Sequence, residues 1–352
     1  MSAATHLGHR AHSSILARGF ATALARHVSR PMVAQSIVYR QQQWRWMSAR
    51  PADDAASHHQ HTRKKVTLQT LAAMHRRKEP ITMITAHDYP SAMFVDRAGA
   101  DTLLVGDSLA MVALGLPSTV SVTMDEMLHH CRAVARGAKH PFLVADMPFG
   151  SYEADPKLAV ANAARFIKEA NMEAVKLEGG MDMADTVRSI VKAGIPVLGH
   201  IGLTPQRLAM LGGFRCKASL QARCAKLLVD DALALQDAGC FAVVLEAVPA
   251  PVATAITERL SIPTIGIGAG AGCSGQVLVQ QDMLGIFDRF VPKFCKQYAN
   301  VSQVSLAALR EYCQEVKSGA FPATEHTYPM PADEEAKFQA LVSDSATGKK
   351  DD

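Results

Sequence analysis

The sequence predicts an α/β chain folded as a (β/α)8 TIM barrel, on three observations. β/α units alternate about eight times over about 250 residues, the size and rhythm of such a barrel. The strand segments are short apolar runs without polar alternation, as befits parallel strands buried on both faces. Five of these runs then finish on a residue able to bind a metal or move a proton. Leu103-Leu104-Val105 runs into Gly106-Asp107-Ser108, the run from Phe142 ends in Asp146, and that from Ala174 ends in Glu178. The run from Val197 ends in His200 and that from Ala242 in Glu246. In a barrel, the C-terminal ends of the strands share one rim.

In chain order, 67–78 reads as a helix capped by Thr67, with Leu68, Leu71, Ala72 and His75 at helical spacing. A strand at 81–85, a short helix at 91–99 and the strand through Leu103 follow. A Gly-, Pro-, Ser- and Thr-rich loop fills 111–123, before a helix at 124–137. Strand 142–146 leads to helix 157–170, and strand 174–178 to helix 183–193. Strand 197–201 leads through a loop containing Gly212-Gly213 to helix 219–238. Strand 241–246 precedes helix 250–259, and strand 264–267 runs into the glycines of 268–272. The closing strand is placed within 284–291, and helix 303–318 ends the barrel. A doubly wound sheet would need a Gly-rich phosphate turn after an early strand; the only glycine run, 268–272, comes too late.

These elements divide the chain into a segment at 1–50, a polar linker at 51–65, a catalytic barrel at 66–328 and a polar tail at 329–352, expected to be disordered. The formal charge of +4 is unevenly placed: seven arginines and no Lys, Asp or Glu fall in 1–50, which leaves −3 for the rest. A mildly acidic body argues against a nucleic-acid surface. The Arg-, Ala- and Ser-rich, acid-free segment 1–50 has the pattern of a mitochondrial transit peptide. No uninterrupted apolar run is long enough to span a bilayer, so no membrane role is expected. The seven cysteines lack any CxxC pair, which disfavours a disulfide framework or a zinc knuckle.

The predicted rim collects Asp107, Ser108, Asp146, Lys176, Glu178, His200 and Glu246. Carboxylates crowded into a dry cup repel one another, and a divalent cation relieves the repulsion; oxygen-only donors favour Mg2+ or Mn2+ over zinc. A 2-oxo acid suits such a cation, because its carboxylate and keto oxygens chelate as a pair. The cation would then polarise the carbonyl, Lys176 would neutralise substrate charge, and a carboxylate off the metal would serve as base. Structural alternatives stand beside these roles. Asp107 and Ser108 could cap a helix, Asp146 could belong to a turn before Met147-Pro148, and Glu178 could pair only with Lys176. His200 could be a core histidine and Glu246 a buried structural carboxylate.

The rim runs also carry a set of motifs in order: ITAHDYPSA from 81, LLVGDSLAMV from 103, LVADMPFGSY from 143, AVKLEGG from 174, GHIGLTPQ from 199, VVLEAVP from 243, IPTIGIGAG from 262 and VPKF from 291. Together they resemble the ketopantoate hydroxymethyltransferase family over nearly all of the barrel. Family members often have Tyr at the place of His87 and Gly at that of Ala110; neither position carries an assigned role.

The resemblance implies Mg2+-dependent, aldol-type transfer of a one-carbon unit from the co-substrate 5,10-methylenetetrahydrofolate to C3 of 3-methyl-2-oxobutanoate, which starts pantothenate synthesis. By motif it makes Asp107, Asp146 and Glu178 the metal ligands and Glu246 the proton acceptor at C3. Asp107, Ser108, Asp146 and Lys176 would meet the substrate, with His200 near it. The implied partners are small molecules and further copies of the chain, a homo-oligomer, commonly a decamer. Two other readings of the residues stay open: a related barrel lyase or mutase of the isocitrate-lyase and phosphoenolpyruvate-mutase type, and a non-catalytic barrel.

Overall fold

The computed structural model describes residues 63–207 and 222–347, with side chains through 343. The expected transit peptide, most of the linker, the Gly212-Gly213 loop and Cys216 lie outside the described residues.

Eight parallel strands close into a barrel in sequential order. They are β1 Ile81–Thr85, β2 Thr102–Val105, β3 Phe142–Asp146, β4 Ala174–Glu178, β5 Val197–Gly202, β6 Ala242–Glu246, β7 Thr264–Ile267 and β8 Gly275–Leu278. β8 pairs with β1 through Ile81–Gly275 to Ile84–Leu278, which completes the ring. The closing strand is therefore not in 284–291, where Ile286, Phe290 and Val291 are exposed. It escapes a pattern reading because it opens on glycine and alternates buried Gly275 and Val277 with partly exposed Gln276 and Leu278. The glycine is required: a Cβ at Gly275 would stand 2.3 Å from the Ile81 carbonyl oxygen across the seam.

Helices alternate with the strands: α1 Leu68–Arg76, α2 Tyr89–Ala98, α3 Leu109–Val112, α4 Met124–Gly137, α5 Pro156–Ala170, α6 Ala184–Lys192, α7 Ala222–Asp237, α8 Ala250–Arg259, α9 Gln280–Met283, α10 Val301–Ser318 and α11 Ala332–Thr347. Their starts are encoded locally. Thr67 caps α1 in a box with Thr70, Asp88 caps α2 with Ser91, and Thr123 caps α4 with Glu126. The loop expected over 111–123 is shorter, since α3 reaches Val112 and a 3-10 turn covers Thr119–Ser121. Among the described residues no helix is long and apolar enough to cross a membrane.

The tail differs from expectation, because α11 occupies much of it. Asp333, Glu334 and Glu335 fall in its first turn, where negative charge complements the helix dipole, and Lys337 lies 2.8 Å from Glu334. A polar composition therefore describes an exposed helix here rather than the lack of one.

Strand alternation sorts the core into two shells. Leu103, Val105, Leu143, Ala145, Val175, Leu177, Val243 and Leu245 face outward into one apolar cluster with the helices. Leu104, Phe142, Val144, Ala174, Leu198, Ala242 and Val244 face inward and fill the barrel, with Leu71 and Met74 of α1 joining them. Continuing the inward set along each strand puts Asp146 above Val144, Lys176 and Glu178 above Ala174, His200 above Leu198 and Glu246 above Val244. The apolar plug ends where the chemistry begins.

Candidate active site

All seven residues singled out at the rim line one cavity of about 70 Å³. Thr85 of β1, Leu104, Pro205 and apolar side chains of β6 to β8 share its wall. Asp107, Asp146, Lys176, Glu178 and His200 are each at most 5% exposed.

The polar contacts form one network. The Asp107 backbone N–H donates to Asp146 Oδ2 at 2.9 Å. Lys176 Nζ lies 2.5 Å from Asp146 Oδ1. His200 stands between two glutamates, with Nδ1 3.4 Å from Glu178 Oε1 and Nε2 3.2 Å from Glu246 Oε2. These are ion-pair distances at which neither ring nitrogen makes an aligned hydrogen bond. Asp107 does not cap α3: its Oδ2 accepts from Gln206 Nε2 at 2.8 Å, and Ser108 at the helix start makes no side-chain cap either. The Lys176 ion pair is with Asp146, whereas Glu178 faces His200 and its Oε2 accepts the Gln206 backbone N–H at 3.1 Å.

Gln206 and Tyr152 are the members of this network that the sequence does not single out. Gln206 lies in the GLTPQ run, in a 3-10 turn beyond β5, where no periodicity marks it. Tyr152, at the end of the LVADMPFGSY run, is fully buried and donates to Gln206 Oε1 at 2.6 Å.

Electrostatics in this cup split the carboxyls, raising Asp107 and lowering Glu178. Burial, together with the charges of Asp146 and Glu178, pushes the Asp107 carboxyl up to about 8, against the pull of Lys176 and the Gln206 amide. Burial opposes the Lys176 charge, yet Asp146, Asp107 and Glu178 around it hold its pKa above the ordinary lysine range. Burial likewise opposes ionisation of Glu178, but His200, Lys176 and the Gln206 N–H hold its carboxyl low. For His200, burial and Lys176 work against the charge; Glu178 and Glu246 outweigh them and raise it to about 9.

Three buried carboxylates with oxygen donors only, one of them left with a raised pKa, fit a hard divalent cation by charge and donor type. Among the described residues, no group of three or more His, Cys, Asp and Glu side chains is drawn tight enough to hold an ion as it stands.

A closed parallel barrel with acids, a lysine and a histidine gathered at its C-terminal rim is the arrangement of an α/β-barrel enzyme. A family model for ketopantoate hydroxymethyltransferase matches residues 65–324, and the chain belongs to that family of transferases. It is 57% identical over 284 residues to a 3-methyl-2-oxobutanoate hydroxymethyltransferase of Emericella nidulans, covering 80% of this chain and 81% of the relative. It is 54% identical over 287 residues to one of Oleidesulfovibrio alaskensis, covering 82% and 98%. It is 57% identical over 266 residues to one of Moorella thermoacetica, covering 76% and 98%. This membership decides between the readings left open above, in favour of the hydroxymethyltransferase over the barrel lyase and the non-catalytic barrel.

Proposed function

We propose that the chain transfers a one-carbon unit from 5,10-methylenetetrahydrofolate to C3 of 3-methyl-2-oxobutanoate in a Mg2+-dependent reaction that forms 2-dehydropantoate for pantothenate synthesis. The observation that carries the reading is the single cavity shared by all seven rim residues, on a chain more than half identical to enzymes of that name.

Asp107, Asp146 and Glu178 would hold the cation, directly or through water. Bound Mg2+ would supply Lewis-acid polarisation of the keto oxygen. Lys176 faces the substrate's carboxylate and offsets its charge in a site otherwise rich in acids. Ser108, at the mouth of the turn after β2, donates a hydroxyl to the substrate. Glu246 is the least buried of the four acids, with its side chain 16% exposed. It takes the proton from C3, with the His200 imidazole 3.2 Å away. His200 also faces Glu178, so one imidazole spans the cation side and the base side of the cavity.

Two further proposals concern the setting. The acid-free segment 1–50 supports import into mitochondria. Val304, Leu309, Tyr312 and Val316 on α10 are all exposed, and Leu309, Tyr312 and Val316 lie on one helical stripe. An exposed apolar stripe supports a homo-oligomer, and the family resemblance points to a decamer.

The experiment is an assay of the full chain with 3-methyl-2-oxobutanoate, 5,10-methylenetetrahydrofolate and Mg2+, each omitted in turn. Product should require all three; turnover in EDTA without added metal contradicts the Mg2+ reading, and turnover without the folate contradicts the choice of donor.

A further inference from the structure

One loop residue touches two of the three acids assigned to the cation. Gln206 is buried, and its side-chain Nε2 donates to Asp107 Oδ2 at 2.8 Å and to the Met147 carbonyl at 3.0 Å. Its backbone N–H donates to Glu178 Oε2 at 3.1 Å. The amide has only one workable orientation, since both neighbours of Nε2 are acceptors and Oε1 receives the Tyr152 hydroxyl at 2.6 Å. That hydroxyl in turn accepts the Glu178 backbone N–H at 3.2 Å. A continuous chain of donors thus runs from the end of β4 through Tyr152 and Gln206 to the turn after β2.

The backbone of Gln206 is fixed as well. It sits in the 3-10 turn Pro205–Arg207, closed by the Arg207 N–H on the Thr204 carbonyl at 2.9 Å. The turn, the amide and the phenol are therefore tied to one another by hydrogen bonds. Each of the two carboxylates has one oxygen held by this unit, which limits rotation of its group and directs the second oxygen. An acid free to pivot would lose entropy on meeting an ion; an acid already held loses less.

We propose that Gln206, locked by Tyr152, is a positioning residue that sets the Asp107 and Glu178 carboxylates in the orientation a divalent cation requires. The proposal rests on the Mg2+ reading above and deepens it. Outer partners of metal ligands act in this way generally, and their removal weakens metal binding by about 10–100-fold.

The test is calorimetric titration of Mg2+ into EDTA-stripped, then dialysed full-length protein, with no substrate present, for wild type, Gln206→Met and Tyr152→Phe. Methionine keeps the length of the side chain and removes both the donor and the acceptor. Phenylalanine removes only the hydroxyl that locks the amide, and keeps the ring that fills the core. Circular dichroism and the metal-free melting temperature report whether each variant is folded. Both folded variants should bind Mg2+ more weakly than wild type, Gln206→Met by about 10–100-fold and Tyr152→Phe by less. The Mg2+ concentration giving half-maximal turnover should rise by the same factor as Kd, with a smaller fall in turnover at saturating Mg2+; a merely structural lesion would lower turnover at every Mg2+ concentration and leave Kd in place. A folded variant of either kind with the wild-type Kd overturns the proposal. Wild-type protein that binds no Mg2+ overturns the cation reading itself, a result distinguishable from the first because it needs no variant.

Discussion

Lys176 Nζ and Asp146 Oδ1 meet at 2.5 Å at the adjoining ends of two neighbouring strands, and both side chains are almost wholly buried. The pair exists because β3 and β4 place Asp146 and Lys176 opposite each other in register, both facing into the barrel. In the metal-free protein this lysine is the positive charge paired with Asp146, while His200 faces Glu178.

Removing that charge should therefore be costly. Lys176→Met leaves Asp146 buried without its paired charge, and breaking a buried pair costs about 3–5 kcal/mol. Denaturant unfolding in EDTA should show a loss of that order, and saturating Mg2+ should recover part of it. Equal stability of variant and wild type in EDTA would contradict the assignment of Lys176 as the compensating cation.

Asp107 predicts the opposite sign. Its folded-state pKa of about 8 lies above the 3.8 of a free aspartate, chiefly through burial and the charges of Asp146 and Glu178. The folded state therefore holds the proton more tightly, and stability falls as pH rises from about 4 through about 8. Asp107→Asn removes this penalty. In EDTA its melting temperature should exceed that of wild type at pH 8 and approach it at pH 4, while Mg2+-dependent turnover is lost. Melting curves at the two pH values check this; a variant less stable than wild type at pH 8 without metal would contradict it.

Much of this site was legible in the sequence because two simple periods coincide. Continuous apolar runs marked β2 to β6, and strand alternation carried Asp146, Lys176, Glu178, His200 and Glu246 to the same interior face. The less legible parts lack a period. Gln206 reaches Asp107 across 99 positions from a loop, and no local pattern encodes that contact. β8 is short and opens on a glycine that exists to let Ile81 approach, so the more apolar run at 284–291 drew the assignment instead. The helix at 332–347 is stabilised by its own charge pattern rather than by burial, which made its composition look like that of an unstructured tail.

Gly202 ties the backbone to the proposed base. It closes β5 with φ +98°, and a Cβ there would stand 2.2 Å from the carbonyl oxygen of Glu246. Gly202→Ala should cost at least the roughly 1–3 kcal/mol of a strained backbone position and should displace Glu246. A melting-temperature drop together with reduced turnover at saturating substrate is expected; wild-type values for both would show that the contact is easily relieved.

Glu246→Gln tests the proton transfer itself. The amide keeps the size of the side chain and cannot accept the proton, so exchange of the C3 hydrogen of 3-methyl-2-oxobutanoate with deuterated solvent, followed by NMR, should slow by about 10²–10⁴-fold. Mg2+ binding should persist, since Glu246 is not among the proposed ligands. Unimpaired exchange would remove Glu246 from the role of base.

The central claim, that acids from three β/α units share one divalent ion, is tested most directly by titrating Mg2+ into metal-free wild-type protein and into Asp107→Asn and Asp146→Asn. One ion bound per chain in the wild type, with binding lost or greatly weakened in each variant, is the predicted result. Absence of binding in the wild type, or binding that survives both substitutions, would contradict it.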